Sequence, residues 1–160
     1  MAPRPADVTI RDFAPGDEAA FLELNEEWIV HYFEFLEDAD KEVLSNPHRI
    51  LAGRGRIFFA VRRGTPVGCC ALMMGPHGDY EVAKMAVTAS ERGAGIGRRL
   101  LERVVAAARE MGIGRLFLET NRKLTPAITL YQSVGFRHVP PERFVESPYA
   151  RSNVQMEMNL

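Results

Sequence analysis

Cysteine is nearly absent from this 160-residue chain: there are two, Cys69 and Cys70, and they are adjacent. Neighbours on a strand point to opposite faces, so the pair makes no ordinary disulfide and reads as two small reduced apolar residues. No CxxC pair and no HExxH helix occurs, so the common zinc signatures are missing and no metal is expected. No apolar run approaches the roughly 20 residues that cross a bilayer. The opening residues, MAPRPADVTI, also lack the apolar core of a secretory signal. An excess of charge is lacking as well. Twenty Lys and Arg against 21 Asp and Glu leave a net charge of −1, so no global field draws nucleic acid or an acidic membrane. Any attraction for a charged ligand has to be local. The expectation is a cytoplasmic protein with neither a nucleic-acid nor a membrane partner.

What is present is an ordinary globular composition, 46% apolar and 26% charged. A chain of this length forms one core and buries roughly two-thirds of its unfolded surface without a staple. We therefore expect a single domain over residues 1–160. Residues 8–13 alternate as a first strand. Pro15, Gly16 and Asp17 turn the chain, and Asp17 is placed to cap a helix carrying Phe21, Leu24 and Trp28 on one stripe, ending near Val30. A second amphipathic piece spans about Tyr32 to Leu44, stopped by Asn46-Pro47. Residues 57–61 form an apolar run of the buried-strand kind. Arg63-Gly64-Thr65-Pro66 is a hairpin signal, and the return strand runs from Val67 to Met74. After a turn at residues 75–79, Tyr80 to Val87 reads as a further strand.

The period then changes. Ile96, Leu100, Leu101, Val104, Val105, Ala108 and Met111 fall on one helical face, ended by Gly112 and Gly114. Residues 115–120 are a strand. Thr125-Pro126 opens a short helix through Leu130 and Tyr131 to Gly135, residues 136–139 are a strand, and residues 154–160 alternate as a half-buried one. The order is β, two helices, three strands, helix, strand, helix, strands: an α/β domain with a mixed sheet.

Between strand and helix lies Glu91-Arg92-Gly93-Ala94-Gly95-Ile96-Gly97-Arg98-Arg99. A strand entering a helix through glycines exposes unbonded N–H groups at the positive end of the helix dipole. Glycine admits close approach of an anion to the backbone and turn angles closed to other residues. Arg92, Arg98 and Arg99 add positive charge. The ligand suggested is a phosphate or pyrophosphate. The dinucleotide fingerprint G-x-G-x-x-G fails, because the sixth position from Gly93 is Arg98. The P-loop fails too, since neither Lys84 nor Lys123 follows a glycine.

What remains, Arg92-x-x-Gly95-x-Gly97 after a strand ending Met85-Ala86-Val87, resembles the acyl-CoA loop of the GCN5-related N-acetyltransferase (GNAT) family. Leu118-Glu119-Thr120-Asn121, followed by a short helix with Tyr131 and then Gly135-Phe136, adds the family's next marks at its spacing. The resemblance covers residues 57–139. It implies a mostly antiparallel mixed sheet with helices on both faces. It also implies transfer of the acetyl group of acetyl-CoA to a primary amine of a small molecule or peptide, by direct attack in a ternary complex. Transfer onto protein lysines and a non-catalytic acyl-CoA sensor are the alternatives, and a homodimer is expected from the lookalikes alone.

The same resemblance assigns pyrophosphate binding to the backbone of Arg92, Gly93, Ala94, Gly95, Ile96, Gly97 and Arg98. It assigns pairing with the pantetheine arm to Met85, Ala86 and Val87, with a further contact from Asn121, whose other reading is a turn residue. Tyr131 becomes the general acid for the leaving thiolate and a contact near the sulfur; packing in the core is its other reading. Glu81 is the favoured base, since alternation puts it on the face of Met85; an exposed edge charge is the other reading. Glu119 is the reserve base and His31 a third candidate. Lys84 falls on the opposite face and takes no role. The acidic residues Glu34, Glu37, Asp38 and Asp40, among aromatic neighbours, suit either a cationic acceptor or a solvated helix face. Arg151 suits a substrate carboxylate.

Overall fold

The computed structural model of the chain describes residues 7–75 and 78–160; two residues of the turn expected at 75–79 lie outside the described residues. β1 (Val8–Asp12) is followed by three helices, α1 (Glu18–Phe33), α2 (Asp38–Leu44) and α3 (Pro47–Ala52). Then come β2 (Arg56–Arg62), β3 (Thr65–Met74), β4 (Tyr80–Val87), α4 (Ile96–Glu110), β5 (Arg115–Thr120), α5 (Thr125–Val134), β6 (Arg137–His138) and β7 (Val154–Asn159). The strands make one sheet in the order β1-β2-β3-β4-β5-β7-β6. Every neighbouring pair is antiparallel except β4 and β5, which are joined by the α4 crossover and run parallel.

Alternation along the strands separates two cores. Phe58, Ala60, Cys70, Leu72 and Val82 face α4 and α5, together with Leu100, Leu101 and Val104. Ile57, Phe59, Val61, Cys69 and Ala71 face α1 to α3, together with Phe21, Ile29 and Leu44. The adjacent cysteines thus belong to different cores, and both are free thiols.

The helical segment before β2 departs from the sequence reading. α1 continues past Val30 to Phe33 and ends where Glu34 takes a left-handed conformation, φ 75°. Asp17 precedes α1, but its carboxylate accepts from Arg11, at 2.6 and 3.0 Å, and from the Ala14 N–H, not from the helix. The piece expected from Tyr32 is the shorter α2, whose first turn is closed by Asp40 accepting the Glu37 N–H at 2.9 Å. α2 ends at Leu44 as expected, ahead of Asn46-Pro47, but Pro47 does more than follow a helix end. It opens α3, because a first-turn residue needs no N–H. β7 is also more enclosed than a half-buried strand. Its polar face is covered by the chain ahead of it: Gln155 exchanges hydrogen bonds with Val145 at 2.7 and 3.0 Å, and Glu157 accepts from Arg143 at 2.8 Å.

Candidate active site

β4 carries one residue too many for its partner. Ala71 opposes Ala83 and Cys69 opposes Ala86, so Lys84 and Met85 together face Cys70. This is a β-bulge, and Lys84 absorbs it at φ 54°. Simple alternation therefore fails across it. Glu81, paired with Met73, stays on the α1–α3 face, whereas Met85 and Val87 pack on the α4–α5 core. The expected shared face of Glu81 and Met85 is thus overturned, and so is the dismissal of Lys84, whose ammonium lies on the side of α2, 2.9 Å from Asp40.

β4 and β5 pair only at Tyr80–Leu116 and Glu81–Phe117. Beyond that point they part, leaving an edge of β4 without a sheet neighbour and opening a cleft of about 620 Å³. Met85, Ala86 and Val87 line it, as do Tyr131 from α5 and the carboxylates of Glu81 and Glu119.

The glycine turn closes one end. Gly93 and Gly95 take positive φ, 85° and 79°, and a Cβ built on either meets nothing within 4 Å, so conformation and not space demands glycine there. The first N–H bonded along α4 is that of Arg99, to the Gly95 carbonyl at 3.2 Å, so the N–H groups of Ile96, Gly97 and Arg98 precede the ladder. At Gly97 a Cβ would lie 3.3 Å from Leu130. All of residues 92–98 except Ala94 line the cleft, and Ala94 packs on the core. Arg62 holds the turn by clasping Glu91 at 2.9–3.1 Å. Arg92 donates to the Val87 carbonyl at 3.3 Å and Arg98 to Ser133 at 2.6 Å.

At the other end two carboxylates stand on adjacent strands. Burial, reinforced by the charge of Glu119 and only partly offset by Lys84, pushes the Glu81 carboxyl up to about 7. Burial also raises Glu119, against hydrogen bonds from Ser147 at 3.0 Å and Ser152 at 3.4 Å. The Tyr131 phenol is buried, edge-on to Phe136, and burial with Cys70 nearby raises its pKa. Asn121 lines the cleft, but its amide is engaged at both ends, donating to the Arg151 carbonyl at 2.7 Å and accepting the Lys123 N–H at 2.9 Å. His31 is exposed, edge-on to Tyr32 and not among the residues that line the cleft.

The acidic segment divides. Asp40 is fully buried and takes a two-pronged Arg151 guanidinium at 2.6 Å on each oxygen, besides Lys84. Burial opposes its ionisation, yet these cations hold it at about 2. Glu37 accepts the Ala150 N–H at 2.8 Å and lies 3.4 Å from Arg151. Arg151 is therefore committed to Asp40 and Glu37, not to a substrate carboxylate as its type suggested. Lys84 also donates to the Tyr149 hydroxyl at 2.8 Å. This network ties residues 149–151 over the cleft, and no local pattern announced it.

A model of the acetyltransferase (GNAT) family matches residues 21–136. The IAA acetyltransferase of Azospirillum brasilense is 37% identical over 131 residues, covering 81% of this chain and 84% of its own. A GNAT-family acetyltransferase from Staphylococcus aureus Mu50 superposes with a TM-score of 0.85 at 22% identity, covering 95% of this chain and 98% of its own. YncA of Salmonella typhimurium, solved with acetyl-CoA, superposes at 0.78 with 20% identity, covering 96% and 94%. Among the described residues no helix is long and apolar enough to cross a membrane.

Proposed function

The chain belongs to the GNAT acetyltransferase family, and from that premise we propose that it moves the acetyl group of acetyl-CoA to a primary amine of a small molecule or peptide by direct attack in a ternary complex. The observation that carries the proposal is the parting of β4 from β5, which puts the glycine turn, Glu81 and Tyr131 around one cleft. The fit to the thioester is good. An end with unbonded N–H groups suits a pyrophosphate, an unpaired β4 edge suits an arm with amide groups, and glycine keeps side chains out of the way. Acetyl-CoA supplies the activated carbonyl; the residues of the chain do the rest.

An ammonium has to lose a proton before its nitrogen can attack. Glu81 takes it: a carboxylate at about 7 is half ionised near neutral pH and basic enough to accept a proton. The departing sulfur takes a proton from Tyr131, which lines the cleft and whose phenol carries its proton at neutral pH. Tyr149 and Arg151 line the acceptor end. The proposal places the enzyme in the cytoplasm, as a homodimer.

The test is acceptor-dependent release of free thiol from acetyl-CoA. Gly95→Val should abolish it by weakening acetyl-CoA binding about 100-fold or more in calorimetry, since Val is strained at φ 79° and its side chain would take the open space proposed for the phosphates. Unchanged binding would remove the turn from the site. Tight binding with no thiol release for any amine would leave a sensor.

A further inference from the structure

The acceptor end of the cleft has a charge pattern that narrows what can enter it, given the transferase reading above. Glu81 lies opposite Phe117, and Glu119 follows two residues later on the same sheet face. The two cations that line this end are already matched inside the protein: Arg151 by Asp40 and Glu37, Lys84 by Asp40. Neither carboxylate has an ion pair among the described residues, although the charge of Lys84 acts on both and that of Arg151 on Glu119. Glu81 has no hydrogen-bond partner among the described residues, and Glu119 receives hydroxyls alone, from Ser147 and Ser152. Trp28, Tyr32, Phe33 and Tyr149 line the same cleft, with Arg151 over the rings of Trp28, Phe33 and Tyr149 at 5.7, 5.7 and 4.8 Å from their centroids.

From two carboxylates without an ion pair in a cleft lined by aromatic side chains, we infer that the acceptor is a primary ammonium on an aromatic or similarly flat apolar body, with no carboxylate next to the amine. The ammonium faces Glu81 and Glu119, and its body lies against the aromatic side chains that line the cleft. A free α-amino acid would bring its own carboxylate toward the same two anions, with both nearby cations already engaged. Like charges in a sheltered cleft repel several times more strongly than in bulk water.

Matched pairs test this: tyramine against tyrosine and tryptamine against tryptophan. Two readouts are used, thiol release from acetyl-CoA and calorimetric binding of each compound to the protein without acetyl-CoA. The amine lacking the carboxylate should have a kcat/KM about tenfold or more above its partner and bind correspondingly tighter. Glu119→Gln keeps acceptors for the two serines and removes the charge. It should raise KM for tyramine about fivefold, with a smaller change in kcat, and should shrink the tyramine-to-tyrosine ratio. A merely structural Glu119 would leave that ratio unmoved. Equal or better use of the amino acids, no binding of either member, or an unmoved ratio overturns the inference while the transferase reading stands. Failure of acetyl-CoA to bind would overturn the transferase reading instead, and the amine-binding arm would still decide the acceptor.

Discussion

Asp40 and Glu81 are sheltered carboxylates that both feel Lys84, yet one is held at about 2 and the other pushed to about 7. Burial is the leading influence on each, and on each it acts upward. The difference lies in the donors. Asp40 accepts two guanidinium bonds, an ammonium bond and the Glu37 N–H. Glu81 accepts none among the described residues and has Glu119 for a neighbour. Burial makes a carboxylate sensitive, and hydrogen-bonded cations decide which way it moves. The first arrangement is a clamp between α2 and the chain at 149–151. The second is a group poised to exchange a proton.

The comparison breaks most sharply at Glu81. Glu81→Gln should lower kcat by about 10²–10⁴-fold, the range for loss of a positioned base. It should also stabilise the fold at pH 8. A carboxyl raised in the folded state contributes fully below its unfolded value near 4.5, and that contribution is lost as pH rises through about 7. The neutral amide escapes the loss, so the melting-temperature gap between variant and parent should widen from pH 5 to pH 8. Wild-type turnover in the variant would remove Glu81 from the chemistry.

Asp40→Asn attacks the other member. It leaves Arg151 and Lys84 buried with too little negative charge, which should cost about 3–5 kcal/mol in urea unfolding. The sign with pH is opposite to that of Glu81. A carboxyl lowered in the folded state stabilises above its unfolded value, near 3.8, and the contribution is lost as pH falls toward 2. The parent should therefore lose stability in acid that the variant lacks at every pH. A loss below about 1 kcal/mol would mean that the clamp is no stronger than a surface ion pair.

Tyr131 extends the comparison to a third buried group, one that keeps its proton. Tyr131→Phe should lower kcat about 100-fold while acetyl-CoA binding persists in calorimetry. Normal acetylation across pH would return Tyr131 to a packing role against Phe136. The smallest effect concerns the coupling between Glu81 and Glu119. The acid limb of kcat/KM should rise with pH through about 7, because the base works only when ionised. In Glu119→Gln that limb should move to lower pH by about half a unit, since a like charge has gone and Lys84 remains. A shift toward higher pH would contradict the pairing.

Much of the fold and one end of the cleft were legible in the chain. Alternation put Cys69 and Cys70 on opposite faces, and the apolar stripe from Ile96 to Val105 marked α4. The turn at 92–98 was legible because its physics is local: glycine at positive φ, then unbonded N–H groups where a helix begins. Lys84 was misread because a bulge is one extra residue, and nothing in Glu81-Val82-Ala83-Lys84-Met85 marks where the partner strand skips. Arg151 was misread because its partner Asp40 is 111 residues away. α3 was missed because a proline that may end one helix may equally begin another.

By itself, then, the order of residues determined what neighbours along the chain decide between them: which segments become strand or helix, which face is apolar, and where backbone amides stand open to an anion. Tertiary structure alone decided which charges meet. Asp40 and Glu37 neutralise Lys84 and Arg151 while Glu81 and Glu119 are left facing the cleft, because electrostatic energy depends on distance through the folded interior and on access to water, and neither is written in sequence spacing.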